Sequence, residues 1–250
     1  MAARTAAVTV SEPHPGRCDN PRGVDRPPWY TPGMEFDGII FDLDGTLVDT
    51  LEDIADAMDR VLALEGAPGH SYDEYRYLIG RGIRNLVTEA LPPELRSDER
   101  IARCYGRMLE DYGAHLLVKT RAYEGVPELV RALRAAGVQL AIHSNKADAP
   151  TQAIVAALLD PADFAQVSGA RPDAPLKPDP AVALAIAARF GLPPARVVYL
   201  GDSLVDMRTA SAAGMIAVGA AWGFRTPEEL VESGARVVID APLDLLALRG

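Results

Sequence analysis

The strongest constraint on the fold is a regular alternation of short apolar runs with helical patterns after residue 35. Apolar runs typical of strands occupy residues 37–42, 138–143, 197–201, 215–219 and 236–239, with a weaker run near 164–168. Helical patterns at 126–136, 147–159 and 179–190 end at Gly137, at Asp160-Pro161 and at Gly191. Strands separated by helices of this length predict βαβ units and a buried parallel sheet. We therefore predict an α/β fold with a doubly wound, Rossmann-like sheet.

Two segments depart from this alternation. Residues 49–122 carry mainly helical patterns and no convincing strand, which predicts an inserted all-helical domain between core segments 34–48 and 123–250. Residues 1–33 are rich in proline and glycine and show no periodicity, which predicts a disordered tail. Because the ordered pattern begins at Met34, one hypothesis is that Met34 is the biological start and that the tail is not a genuine part of the protein.

Charge and composition exclude several classes of partner. The net charge of -10 and the pI near 4.9 disfavour binding to nucleic acid or to an anionic membrane, since both would repel an acidic surface. No run approaches the roughly 18 to 20 apolar residues of a membrane span, and no apolar targeting segment follows Met1. The two cysteines lack metal-ligand spacing. We predict a cytoplasmic protein with no membrane or nucleic-acid partner, and the sequence leaves its oligomeric state open.

Polar residues cluster where the predicted strands end. The clusters are Asp42-Leu43-Asp44-Gly45-Thr46, Ser144-Asn145-Lys146, Lys177-Pro178-Asp179-Pro180 and Gly201-Asp202-Ser203-Leu204-Val205-Asp206. Because a parallel sheet gathers the carboxyl ends of its strands at one edge, we expect these clusters to meet. Several carboxylates together cannot all stay ionised without a cation, and oxygen ligands with no histidine or cysteine favour Mg²⁺.

Asp42 and Asp44 are two positions apart, and Gly45 permits an abrupt turn after the strand, so both carboxylates can approach one substrate. One would act as nucleophile and the other as the proton shuttle for the leaving group and for water. A phosphoryl group would need a lysine, hydroxyl groups and backbone donors to offset its charge. Lys177, Ser144 and Thr46 provide such groups.

In their order and content, these motifs resemble those of the haloacid dehalogenase superfamily from Met34 to the C-terminus. The resemblance implies that Asp42 is phosphorylated and that Asp44 is the general acid and base, with its backbone carbonyl also at the metal. It further implies a phosphate clamp at Thr46, Ser144 and Asn145, and a lysine, Lys177, that holds nucleophile and phosphate together. Asp42, Asp44 and Asp202 are thus the predicted metal ligands. Asp206 is a further candidate, which would contact Mg²⁺ through water or support its direct ligands.

The helical insert resembles the C1 cap of the phosphoglycolate phosphatase-like subfamily. The segments LIGRGIRNLV at 78–87, SNKADAP, LKPDP, GDSLVDMRTASAAGM and AWGF are similar to that group. Dehalogenases proper lack an acidic residue at the Asp44 position, and phosphonatases carry alanine there, so both are disfavoured. The resemblance implies a Mg²⁺-dependent phosphatase that hydrolyses a small phosphorylated metabolite, 2-phosphoglycolate first, through an aspartyl-phosphate.

Other activities stay open at this point. A pyrophosphatase or a β-phosphoglucomutase-like phosphomutase would use the same residues, and a non-catalytic regulator would only retain the phosphate on Asp42. Asp206 is equally consistent with capping a helix or pairing with Arg208, and Lys146 with binding an anionic substrate tail or with lying in solvent. Arg81 is a candidate clamp for a substrate carboxylate, whereas we expect His143 to be packed and hydrogen-bonded.

Overall fold

The computed structural model describes residues 33–249, so the predicted tail lies outside the described residues except for Gly33. The strands are β1 (Gly38–Phe41), β2 (Val48–Asp49), β3 (Arg121–Ala122), β4 (Gln139–Ala147), β5 (Gln166–Ala170), β6 (Val197–Gly201), β7 (Ile216–Ala220) and β8 (Val237–Ile239). The helices are α1 (Leu51–Leu64), α2 (Tyr72–Leu78), α3 (Ile83–Ala90), α4 (Asp98–Ala114), α5 (Val126–Ala135), α6 (Asp148–Leu158), α7 (Ala181–Phe190), α8 (Leu204–Ala213) and α9 (Pro227–Glu232). Short 3₁₀ turns span Pro93–Leu95, Pro161–Asp163, Pro194–Arg196 and Pro242–Leu248.

Six strands form one parallel sheet in the order β5-β4-β1-β6-β7-β8. The chain leaves β1 toward β4 and β5 and later returns to β6 on the other side, so the switch point lies at β1. The doubly wound α/β fold is therefore confirmed, and its switch point is where such sheets place their ligands.

Both faces of the sheet are covered, which accounts for the continuous apolar runs of its strands. One apolar cluster joins alternate residues of β1, β4 and β6, such as Ile39, Leu140 and Val198, to helix α5. The other face packs residues such as Ile40 and Tyr199 against α7 and α8.

Helices α1 to α4 bury a separate apolar cluster between Leu51 and Tyr112, to which Phe224 of the core also contributes. Two short strands join this helical insert to the sheet domain: Val48 pairs with Ala122 and Asp49 with Arg121, antiparallel. The expectation of no strand in residues 49–122 is wrong at these ends, because a two-residue ladder is too short to leave an apolar alternation in the sequence. The ladder holds the two connections side by side.

Candidate active site

The polar clusters predicted at the strand ends meet at the carboxyl edge of the sheet. Asp42 follows β1, Ser144 and Asn145 lie in the last part of β4, and Asp202 follows β6. All four are buried, as is Lys177. A left-handed glycine, Gly45 at φ 83°, makes the turn after the first cluster. An added Cβ there would lie 2.3 Å from Asp202 Oδ2, so this turn requires glycine.

Three buried carboxylates form what we call the acidic cluster: Asp42, Asp202 and Asp206 each offer an oxygen, and these oxygens lie within 4.8 Å of one another. Lys177 Nζ lies 2.9 Å from Asp42 Oδ1 and 2.7 Å from Asp206 Oδ1. One lysine charge therefore faces three carboxyl groups, which leaves an excess of negative charge in a site of low dielectric.

The pKa values reflect this excess. Burial and the charge of Asp206 raise the pKa of Asp42 well above its ordinary value, although Lys177 opposes the shift. Burial and Asp206 likewise raise the pKa of Asp202 to about 7, against hydrogen bonds from the Phe224 N–H and the Thr46 hydroxyl. Burial alone would lower the pKa of Lys177, but Asp206 and Asp42 raise it well above its usual range. The lysine thus stays protonated.

The donor set of the acidic cluster fits a hard divalent cation. Its ligand atoms are carboxylate oxygens with no histidine or cysteine among them. A divalent cation would offset the charge that otherwise raises the pKa values of Asp42 and Asp202. Asp42, Asp202 and Asp206 would hold it.

Asp206 contributes both to the acidic cluster and to the start of a helix. Its carboxylate lies in the cluster, and its Oδ2 also accepts from Ser203 N and Oγ in the capping box that begins α8. The predicted capping role is therefore confirmed, whereas a role at a metal stays a prediction. Its ion-pair partner is Lys177 and not Arg208, because Asp206 points back into the sheet edge while Arg208 is exposed.

Asp44 lies outside the acidic cluster and has its own partners. Lys146 Nζ lies 2.9 Å from Asp44 Oδ1 and 3.1 Å from Oδ2, and the Thr50 hydroxyl donates to Oδ1 at 2.8 Å. The Lys146 ammonium also lies 4.6 Å from the centroid of the Tyr112 ring. Burial alone would lower the pKa of Lys146, but the Asp44 charge raises it above its usual range.

The alternative of a solvated Lys146 is therefore wrong, since its side chain is 3% exposed. Thr50 and Tyr112 are not among the predicted site residues. The N-cap position of Thr50 ahead of α1 was a signal for the former. No local pattern distinguishes Tyr112 from an ordinary core residue.

Hydrogen bonds from the predicted clamp residues join the separate loops. Thr46 Oγ1 donates to Asp202 Oδ1 at 3.0 Å. Asn145 accepts from Lys177 N through Oδ1 at 2.8 Å and donates through Nδ2 to the carbonyls of Lys177 and Gly80. The Asn145 side chain thus fixes the loop that carries Lys177 and also binds the turn of the helical insert at Gly80.

A cavity that is partly open to solvent lies between the sheet edge and the helical insert. Its polar wall includes Asp42, Asp44, Ser144, Asn145 and Lys146. The insert provides a mainly apolar wall of Ile54, Ile79, Gly80, Gly82, Ile83, Leu86, Met108 and Tyr112. The arrangement can hold a small anionic group against Asp42 with an apolar cover above it.

Two other predicted residues lie away from this cavity wall. Arg81 is exposed, does not line the cavity and, within residues 33–249, has no hydrogen-bond or ion-pair partner. His143 is buried, with Nδ1 3.1 Å from the Tyr199 hydroxyl, and burial and the Lys177 charge lower its pKa to about 3. Its predicted packed role is confirmed.

In the described part of the chain, the helices are too short or too polar to cross a membrane.

The chain is similar to known proteins in sequence and in structure. Residues 36–214 match the family model of haloacid dehalogenase-like hydrolases. Phosphoglycolate phosphatase 1 of Pseudomonas aeruginosa is 33% identical over 217 residues, which cover 83% of this chain and 78% of that protein. The N-acetylmuramic acid 6-phosphate phosphatase of the same organism is 30% identical over 218 residues, covering 85% and 94%. A solved structure from Lactobacillus delbrueckii subsp. bulgaricus matches with a TM-score of 0.80 and 28% identity over 85% of this chain and 97% of that chain.

Proposed function

The chain belongs to the haloacid dehalogenase-like hydrolases, and we propose that this phosphoric monoester hydrolase cleaves 2-phosphoglycolate through an aspartyl-phosphate on Asp42. One observation carries the proposal: the two neighbouring aspartates have different surroundings. Asp42 lies in the acidic cluster beside Lys177, whereas Asp44 lies outside it and lines the cavity with Lys146. Two carboxyl groups held in separate environments can take separate roles.

In the first step, Asp42 attacks phosphorus in line with the departing ester oxygen, and Asp44 donates a proton to that oxygen. The attack needs an ionised Asp42, and the charge of Lys177, 2.9 Å away, favours that form against the rise in its pKa that burial and Asp206 cause. Mg²⁺ held by the acidic cluster would neutralise charge on the transferring phosphoryl group. Lys177 and the Ser144 hydroxyl would bind its remaining oxygens.

In the second step, Asp44 takes a proton from water, which attacks the phosphorus and breaks the bond to Asp42. The carboxylate is restored and inorganic phosphate leaves. The apolar cover from Ile79, Ile83, Leu86 and Met108 limits water in the cavity, which strengthens the electrostatic interactions during transfer.

The residues that line the cavity favour a small substrate that carries a carboxylate group as well as the phosphate. Lys146 is the one cationic residue among those that line the cavity within the described chain. The Tyr112 hydroxyl is buried without a hydrogen-bond partner in residues 33–249 and lies in the same wall. A carboxylate near both groups would pair with Lys146 and accept from Tyr112. Phosphoglycolate phosphatases recur among the relatives, which agrees with such a substrate.

The test is phosphate release with Mg²⁺ from phosphoglycolate, N-acetylmuramic acid 6-phosphate, pyrophosphate, sugar phosphates and nucleoside monophosphates. Asp42→Asn should abolish release, whereas Asp37→Asn, at the other end of the same strand and paired with Arg196, should retain it. A wild-type protein that releases phosphate from none of these compounds would overturn the proposal.

A matched pair of substrates tests whether Lys146 and Tyr112 recognise the substrate carboxylate. Phosphoglycolate and 2-hydroxyethyl phosphate differ in the carboxylate, so the ratio of their kcat/KM values isolates its recognition. Lys146→Met and Tyr112→Phe should each lower this ratio, by about tenfold for the lysine. An unchanged ratio in both variants would show that the carboxylate binds elsewhere.

A further inference from the structure

The segment 222–225, which follows β7, contacts the acidic cluster closely. The Phe224 N–H donates to Asp202 Oδ2 at 2.8 Å. Gly223 packs so tightly on Asp202 that an added Cβ would lie 2.2 Å from the Asp202 Cβ. Trp222 Nε1 donates to the Thr46 carbonyl at 3.0 Å. The backbone of this segment therefore fixes the orientation of one carboxylate of the cluster.

The same segment also contacts the helical insert through apolar packing and hydrogen bonds. The Phe224 side chain, 5% exposed, packs into the apolar cluster of helices α1 to α4. Arg225 donates to the carbonyls of Arg76 and Tyr77, and its guanidinium lies 4.8 Å from the centroid of the Tyr77 ring. In the reverse direction, Arg76 Nη1 donates to the Gly223 carbonyl at 3.0 Å.

The position of these contacts on α2 has a physical reason. Arg76 and Tyr77 lie in the last turn of α2, where backbone carbonyls lack partners within the helix and favour a positive charge. Arg225 supplies several donors in one plane together with a face that stacks on an aromatic ring. A lysine could reproduce the charge but not this geometry.

Helix α2 leads directly into the turn that forms part of the cavity wall. Ile79, Gly80 and Gly82 of this turn line the cavity, and the Gly80 carbonyl accepts from Asn145. Movement of α2 relative to the sheet would therefore move the cavity wall and pull on segment 222–225 together.

We propose that Arg225 is a positioning residue that couples the seating of the helical insert over the cavity to the orientation of Asp202. When α2 is docked, Arg225 holds segment 222–225 so that the Phe224 N–H meets Asp202 Oδ2. When α2 moves away from the sheet, segment 222–225 loses the contacts of Arg225 with α2. Asp202 then loses the fixed position of the Phe224 N–H donor. The inference rests on the proposed function in assigning Mg²⁺ to Asp202.

The test compares Arg225→Met with Arg96→Met. Arg96 is a matched control because its guanidinium also binds carbonyls, those of Leu91 and Glu89, but both lie within the insert. Amide hydrogen exchange and Mg²⁺ binding by calorimetry are measured without substrate, so neither depends on turnover. A wild-type protein that fails to release phosphate would thus overturn the proposed function and leave this test intact.

Arg225→Met is expected to speed exchange at least about tenfold both in residues 72–82 and at the Phe224 amide, and to weaken Mg²⁺ binding about tenfold. Arg225→Lys should restore only part of each effect. Arg96→Met should speed exchange near residues 89–96 alone and leave Mg²⁺ binding unchanged.

A second variant keeps the inference testable if Arg225→Met does not fold. Arg76→Gln removes the reverse hydrogen bond to Gly223 and should give the same pattern more weakly. Faster exchange confined to residues 72–82, with the Phe224 amide and Mg²⁺ binding unchanged in both Arg225→Met and Arg76→Gln, would overturn the coupling.

Discussion

Replacement of Lys177 by methionine removes the one cation that contacts the acidic cluster within the described residues. Lys177 contacts Asp42 and Asp206 at 2.9 and 2.7 Å, and the exposed fractions of the three side chains are 2%, 8% and 0%. Breaking a buried pair leaves uncompensated charge and costs about 3–5 kcal/mol. For a protein of this size, that loss in the free energy of unfolding corresponds to a fall in Tm of roughly 6–20 °C.

Lys119→Met provides the matched control. Lys119 also contacts two carboxylates, Glu52 at 3.1 Å and Asp56 at 2.9 Å, but its side chain is 39% exposed. Ion pairs exposed to solvent contribute little to stability, so this variant should unfold at nearly the same urea concentration as the wild type. Both variants are compared with the wild type by urea denaturation in the presence of a metal chelator.

The stability lost in Lys177→Met should also depend on pH. Burial and the Asp206 charge raise the pKa of Asp42 well above its ordinary value and that of Asp202 to about 7. A carboxyl group whose pKa is higher in the folded state binds more protons there than in the unfolded chain, so stability falls as pH rises between the two values. Without Lys177 this fall is steeper, and the loss in Lys177→Met should be larger at about pH 8 than at about pH 5. Equal losses in Lys177→Met and Lys119→Met, or a Lys177→Met loss independent of pH, would refute the reasoning.

Three further predictions concern the metal, a buried histidine and a glycine. Mg²⁺ should raise the Tm of the wild type more at about pH 8 than at about pH 5, because protons compete for the acidic cluster; no shift at either pH would contradict this. The pKa of His143, lowered to about 3 by burial and Lys177, makes the native state lose stability as pH falls below the ordinary histidine value. Urea denaturation of His143→Gln should therefore show a flatter acid profile, and an unchanged profile would contradict this. Gly223→Ala should abolish phosphate release because its Cβ would lie 2.5 Å from the Gly45 carbonyl oxygen, whereas Gly106→Ala, with open space in helix α4, should gain about 0.5–1 kcal/mol and stay active. Phosphate release by Gly223→Ala would contradict this, since segment 222–225 would then have shifted to accommodate the added Cβ.

The chemical pattern along the chain was enough to locate the sheet and the polar clusters at its edge. Each predicted strand of the sheet lies within about two residues of an observed one at its start, because a strand buried on both faces leaves a continuous apolar run. The placement of Asp42, Ser144 and Asp202 at one edge also followed, since parallel strands share the direction of their carboxyl ends. The metal ligands, the phosphate clamp and the substrate stay predictions.

Partners that come from distant elements could not be predicted in this way. The contacts of Lys146 with Asp44 and Tyr112 join β4, the loop after β1 and α4. The hydrogen bonds from Arg225 to Arg76 and Tyr77 likewise join residues about 150 positions apart in the chain. Nothing near Arg81 in the sequence shows that it is exposed and does not line the cavity.

The sequence alone determined which side chains stand at the carboxyl ends of the strands, because apolar periodicity and glycine turns are local properties of the chain. Only the tertiary structure decided that Asp206 completes the acidic cluster and pairs with Lys177, and that Lys146 is buried. The physical reason is that ion pairing and burial depend on distances between segments, which become fixed only when the helical insert packs on the sheet.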